Sequence, residues 1–171
     1  MTEEEKTFKD ANNSNLDYVA LLAKQVVAGT NYMFLCNDDT SYKIVVVYNN
    51  LDGVSQITSI NDFDPTKYVN KNYELDNEEL SGGWYVEIPK EKNTIPVEIQ
   101  NYFDKATETL TGAAYYPIAV VATQNKSYAV LCYGEGSYTG SNTGIFMITL
   151  DAKNNPKIVS ISAIDLSEYN N

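Results

Sequence analysis

Apolar positions along the chain fall into short runs of β-forming residues cut by turn residues, with two stretches of helical spacing between them. The runs 17–25, 32–36, 42–48 and 54–60, and then 115–124, 128–133, 144–150 and 157–164, are rich in Val, Ile, Tyr and Phe and read as strands. From Pro96 to Leu110 the period changes. Ile99, Tyr102, Phe103, Ala106 and Leu110 fall on one helical face, with Pro96 and Glu98 suited to the first turn and Gly112 to the stop. A shorter, less apolar helix is expected from Thr2 to about Ala11. Each half of the chain therefore reads as one helix followed by four antiparallel strands, a sheet packed around a helix in an α+β domain. In 42–48, Ile44 and Val46 point to one face and Val45 and Val47 to the other, so this sheet needs cover on both sides, from the other half or from a second subunit.

The halves repeat one another. Val19 to Gln25 aligns with Ile118 to Gln124, and Tyr32 to Cys36 with Tyr128 to Cys132. An ungapped match from Tyr42–Tyr68 to Thr143–Tyr169 keeps Ile44/Ile145, Ile57/Ile158, Ser59/Ser160, Ile60/Ile161, Asp64/Asp165 and Tyr68/Tyr169. Phe8 to Ala11 would correspond to Phe103 to Ala106. The repeat implies a tandem duplication: a first domain at 1–70 with a reduced helix, a polar and acidic linker at 71–81, and a second domain at 82–171 with a full helix.

Composition narrows the chemistry. The 171 residues include 23 acidic residues against 12 basic ones, a net charge of −11, with no histidine and with lysine as the only basic residue type. A basic surface for nucleic acid is missing, and so is the imidazole of Ser-His-Asp or Cys-His catalysis. Cys36 and Cys132 each sit in an apolar run and are expected as buried, unreactive thiols. The acidic pairs read as turn and surface residues: Asp38-Asp39 lies in a hairpin turn and Glu78-Glu79 in the linker. Neither a metal nor a cofactor is expected. Gly134 to Gly140 is glycine-rich but has no following helix or lysine to make a phosphate loop, and reads as a long hairpin. The longest apolar run is five residues, far short of the ~20 that span a bilayer. No signal peptide is read in the acidic N-terminal residues, and localisation stays open.

Between the first two strands runs Gln25-Val26-Val27-Ala28-Gly29-Thr30-Asn31-Tyr32. It resembles the Gln-Val-Val-Ala-Gly signature of the cystatin and stefin family without a substitution, and Thr-Asn-Tyr resembles the stefin continuation. The whole chain is similar in pattern to tandem cystatin-like proteins of bacteria. The resemblance implies a non-enzymatic protein that binds other proteins through a three-part wedge, which fills the cleft of a papain-like cysteine protease. Carried over here, the first part is Gln25, Val26, Val27, Ala28 and Gly29. The second is the hairpin Asn49 to Gly53, with Leu51 as its apolar contact and Asp52-Gly53 suited to positive φ. The third is the segment Gly82, Gly83 and Trp84 ahead of the second helix. No glycine precedes the first helix, and in the second half the first loop shortens to Asn125-Lys126-Ser127, so neither half holds all three parts. The other implied role is a non-inhibitory interaction or ligand-binding module, in which the loop is a structural, dimer or domain-swap contact. A homodimer through sheet faces or loop exchange goes with it. The 14 tyrosines, several of them at strand ends, suit a protein or glycan partner where they are exposed.

Overall fold

A computed structural model describes residues 1–69, 84–88, 95–136 and 143–169. The expected linker 71–81, Gly82, Gly83 and most of the expected long hairpin lie outside the described residues. The fold is α+β, with two antiparallel sheets of four and five strands. In chain order the elements are α1 (Glu3–Ala11), β1 (Asp17–Val27), β2 (Gly29–Asn37), β3 (Tyr42–Asn49), β4 (Ser55–Phe63), a 3-10 turn (Pro65–Tyr68), β5 (Tyr85–Val86), α2 (Val97–Thr107), β6 (Ala113–Gln124), β7 (Ser127–Gly136), β8 (Thr143–Asp151), β9 (Lys157–Ala163) and a second 3-10 turn (Leu166–Tyr169).

The chain groups into two compact units: Met1–Asp64 with Leu166–Asn171, and Pro65–Asp165. In the first, α1 starts from a capping box. The Thr2 hydroxyl accepts from the Glu5 amide at 3.1 Å while the Glu5 carboxylate accepts from the Thr2 amide at 2.8 Å, and Glu3, Glu4 and Glu5 complement the helix dipole. The helix is short, so what fixes it is Phe8, buried against Tyr18 and Phe34 at ring separations of 5.9 and 5.4 Å. Phe8 joins Tyr32, Phe34, Cys36, Val45 and Val47 in one core. In the second unit α2 begins after Pro96, and Phe103 and Ala106 pack with Val130, Cys132, Ile148 and Leu150 in the same manner. The helix ends at Thr107, earlier than Leu110, and Gly112 then takes a positive φ of 78°.

Strand order is β1-β2-β3-β4 in the first unit and β5-β6-β7-β8-β9 in the second. The rung Leu21, Phe34, Val45, Ile60 runs across the first sheet, and Val120, Val130, Ile148, Ile161 across the second. Even the irregularities coincide. Register shifts fall between Tyr18/Ala20 and Leu21/Ala23 in β1, and between Pro117/Ala119 and Val120/Ala122 in β6. One part of the sequence alignment is corrected by these rungs. The ungapped match puts Val45 over Phe146 and Ile44 over Ile145, whereas in the sheets Val45 stands where Ile148 stands and Ile44 where Met147 stands. Between matching rungs the β8–β9 hairpin is two residues shorter than the β3–β4 hairpin, with seven residues between Leu150 and Ile158 against nine between Val47 and Ile57, and with a side-chain period of two an even slip keeps every apolar residue on its own face. The sequence pattern therefore could not register it.

Ile44, Val45, Val46 and Val47 are all buried, so both faces of the first sheet are covered. One face lies under α1. On the other, Phe63 meets the Tyr169 ring at 5.9 Å, and the Asn61 side chain donates to the Tyr169 carbonyl at 2.9 Å. In the second unit the Pro65–Tyr68 turn packs against β5 and β6. The 3-10 turns directly follow Asp64 and Asp165 and end at Tyr68 and Tyr169, the pairs kept by the repeat. No helix among the described residues is long and apolar enough to cross a membrane.

Candidate functional site

The β1–β2 and β3–β4 hairpins turn at the same end of the first sheet, because β2 and β3 pair from Thr30–Asn49 to Asn37–Tyr42. Their tips carry the apolar residues singled out in the sequence. Val26 is 77% exposed, Val27 45%, Leu51 83% and Val54 61%, and Ala28 is exposed between the hairpins' strands. Side chains of this kind normally reach solvent singly; here four are grouped on two adjacent hairpins.

The first tip is held by three features. Val27 pairs directly with Gly29 across the turn. Gly29 has φ +109°, and a Cβ there would stand 2.5 Å from the Asn49 carbonyl oxygen, so no other residue fits. The Tyr48 hydroxyl on β3 donates to the Ala28 carbonyl and ties the first hairpin to the strand that leads into the second. The second tip is organised by Asn50. Its side-chain oxygen accepts from the Asp52 and Val54 amides at 2.9 Å each, and its main chain closes the turn on Val54 and Gly53. Gly53 has φ +80°; Asp52 does not share that conformation, so only the glycine of the expected pair uses positive φ. Leu51 is left at the outermost position.

The third predicted part is placed differently. Trp84 lies in the second unit, immediately before β5, half-buried, while Gly82 and Gly83 lie outside the described residues. Gln25 is exposed, pairs with Asn31, and lines a shallow groove of about 200 Å³ with Ala23, Lys24, Tyr32, Met33, Val46, Leu166 and Ser167. Tyr48, Val54 and this groove were not singled out from sequence. Val54 carried a signal, being an apolar residue directly after a turn glycine. Tyr48 carried none, because a tyrosine near a strand end is ordinary in a β-rich chain.

The acidic pair Asp38-Asp39 shapes a turn and the two thiols lie in the cores. Asp38 accepts from the Thr40 and Ser41 amides and hydroxyls, which hold its carboxyl well below the usual carboxylate range and shape the β2–β3 turn with Asp39 at φ +72°. Lys43 bridges Asp62 and Asp38. Both cysteines are fully buried, and burial pushes their thiols far up, as expected of inert core residues. Among the described residues no group of three or more Cys, Asp or Glu converges as metal ligands would. Tyr116 and Tyr133, stacked at 6.4 Å, form an exposed aromatic pair on the second unit. Compared with protein-family models, curated proteins and solved structures, the chain matches none of them.

Proposed function

We propose that the protein is a tandem cystatin-like, non-catalytic binding protein whose first unit inserts the Val26–Ala28 tip, flanked by Leu51, into a partner's apolar cleft, the class of cleft being that of papain-like cysteine proteases. The carrying observation is the grouped exposure of Val26, Val27, Leu51 and Val54 on two hairpins that the fold itself holds side by side. Support for the cystatin-like reading comes from the succession of helix, strand, Gln-Val-Val-Ala-Gly turn and antiparallel strands in the first unit, and from the same order of helix and strands, without that motif and preceded by a short strand after Trp84, in the second.

Burying one such Val or Leu side chain contributes roughly 1.5–3 kcal/mol, so three or four of them can offset the freedom lost on association. Pre-organisation supplies the rest of the argument. Gly29, Tyr48 and Asn50 fix the tips before binding, so little loop entropy is lost on contact. The tip is a turn closed inside a hairpin. A cleft filled by it is blocked without any bond being made or cleaved.

The test is titration of a papain-like protease with the full chain. Inhibition is expected, and replacing Val26 and Val27 together with Asp is expected to weaken it by roughly a thousandfold, the loss of two buried anchor contacts of about 2 kcal/mol each. No inhibition at tens of micromolar rejects the reading for this enzyme class, and inhibition unaltered by the double substitution moves the site elsewhere.

A further inference from the structure

The corresponding strands β1 and β6 differ at their outer edges. In the second unit β6 is covered by β5: Tyr85 pairs with Thr123, Val86 with Ala122, the Glu87 amide donates to the Val121 carbonyl at 2.9 Å, and the Thr123 hydroxyl donates to the Glu87 carboxylate at 3.0 Å. β5 also packs against the 3-10 turn Pro65–Tyr68. In the first unit β1 is the edge strand, and among the described residues β2 alone pairs with it. The positions matching Val121, Ala122, Thr123 and Gln124 are Leu22, Ala23, Lys24 and Gln25. Ala122 and Gln124 are buried, whereas Ala23 is half-buried and Lys24 and Gln25 are exposed. The groove of about 200 Å³ runs from Ala23–Gln25 at this edge across Met33 of β2 and Val46 of β3 to Leu166 and Ser167 of the second 3-10 turn. In the second unit β5 lies against both the matching strand β6 and the turn Pro65–Tyr68. The size of the groove suits one or two side chains of an extended segment and falls below the ~300–1,000 Å³ of small-molecule pockets.

We propose that the β1 edge from Leu22 to Gln25 is a strand-addition site for an extended segment of a partner polypeptide, which enters antiparallel and sets an aromatic or β-branched side chain against the Met33–Val46–Leu166 groove. Main-chain pairing gives such a site its affinity, and side-chain pockets and charge give it selectivity. The charge is Lys24. It stands where Thr123 meets the carboxylate of Glu87, and it leans over the Tyr32 ring at 5.3 Å from the ring centroid. The incoming strand therefore carries a single carboxylate two residues beyond the position opposite Lys24, as Glu87 stands two residues beyond Tyr85, within diagonal reach of the ammonium on the same face. The sequence Trp84-Tyr85-Val86-Glu87-Ile88 is the chain's own example of that pattern. This site does not depend on the hairpin tips and stands whether or not they bind a protease.

The experiment is residue-resolved amide exchange and chemical-shift mapping of the full chain, titrated with the capped peptide Trp-Tyr-Val-Glu-Ile. Slowed exchange and shifts at Leu22 to Gln25 are expected. Lys24→Glu should weaken binding about fivefold, the scale of one partly exposed ion pair. A peptide with Gln in place of Glu should lose the same factor, with no further loss on Lys24→Glu, because the two changes remove one interaction. Val26→Asp with Val27→Asp should leave peptide binding unaltered. The proposal is overturned by an absence of perturbation at millimolar peptide, or by perturbation confined to Val121–Thr123, which would mean exchange with β5. Protection of β1 that appears without peptide and grows with protein concentration also overturns it, making the occupant a second copy of the chain.

Discussion

At the hairpin end of each sheet two turns lie side by side, and the two units furnish them with opposite chemistry. The first unit presents Val26, Val27, Leu51 and Val54 to solvent; the second presents Asn125, Lys126, Lys153, Asn154 and Asn155. The neighbouring hairpins are tied together in both, by the Tyr48 hydroxyl on the Ala28 carbonyl in one and by the Ala152 amide on the Lys126 carbonyl at 2.8 Å in the other. The cores beneath are alike, with Phe8 and Phe103, Cys36 and Cys132, Val45 and Ile148, and Val47 and Leu150 in matching places. The second unit shows that this fold closes its hairpins without an apolar tip. Exposed apolar side chains in the first unit are therefore not a requirement of this fold, and it is on this difference that the proposed binding role rests.

That contrast can be broken or sharpened by substitution. The largest effect on stability is expected in the shared cores: Phe8→Ala and Phe103→Ala should each cost about 3–5 kcal/mol in denaturant unfolding. A much smaller loss for Phe8 would show that the short α1 is not a working equivalent of α2. The turns come next. Gly29→Ala should cost about 1–3 kcal/mol, since φ +109° is strained for any side chain and the Asn49 carbonyl occupies the space. Its counterpart Asn125, at φ +52°, should accept Gly with a change of less than about 1 kcal/mol.

Of similar size for each thiol, and the same in both units, is the alkaline response. Burial keeps both thiols neutral in the folded chain, while in the unfolded chain they ionise from about pH 8.5. The unfolded state then binds fewer protons, so stability falls as pH rises, by about 1.4 kcal/mol per pH unit for each thiol between roughly pH 8.5 and 10. Unfolding free energies measured across that range should lose half of this slope in Cys36→Ala or in Cys132→Ala; a flat profile in the parent protein would mean that the thiols are accessible. The smallest effect on stability is expected at the tip. Val26→Asp with Val27→Asp should move the unfolding midpoint by less than about 0.5 kcal/mol per site, because the side chains are largely in solvent. A larger loss would make the tip a folding element and remove the difference between the units.

Much of the fold was legible because the core is built from local patterns. The eight long strands and both helices follow from period-two and period-3.6 apolar spacing, and Phe8, though in a sparsely apolar helix, was found through its repeat partner Phe103. β5 was missed. Two residues, Tyr85 and Val86, are too short a run to show alternation, and their pairing with Ala122 and Thr123 is not written in either segment. Of the candidate site, Val26, Val27 and Leu51 were read from the motif and its neighbouring turn. Tyr48 and Val54 entered only when the register put β3 and the second hairpin beside the first.

By itself the sequence determined which residues face a core, where the chain turns and that no histidine chemistry is available, since these depend on spacing and composition along one strand or helix. Tertiary structure alone decided which edges and tips are left open among the described residues. The β1 edge, the groove beside it and the grouping of four apolar side chains at one end of a sheet arise from pairing between residues far apart in the chain. An edge strand and a covered strand can carry almost the same residues, as Val19–Gln25 and Ile118–Gln124 do, because what differs among the described residues is the presence of a neighbour to take up their outward-facing amide and carbonyl groups.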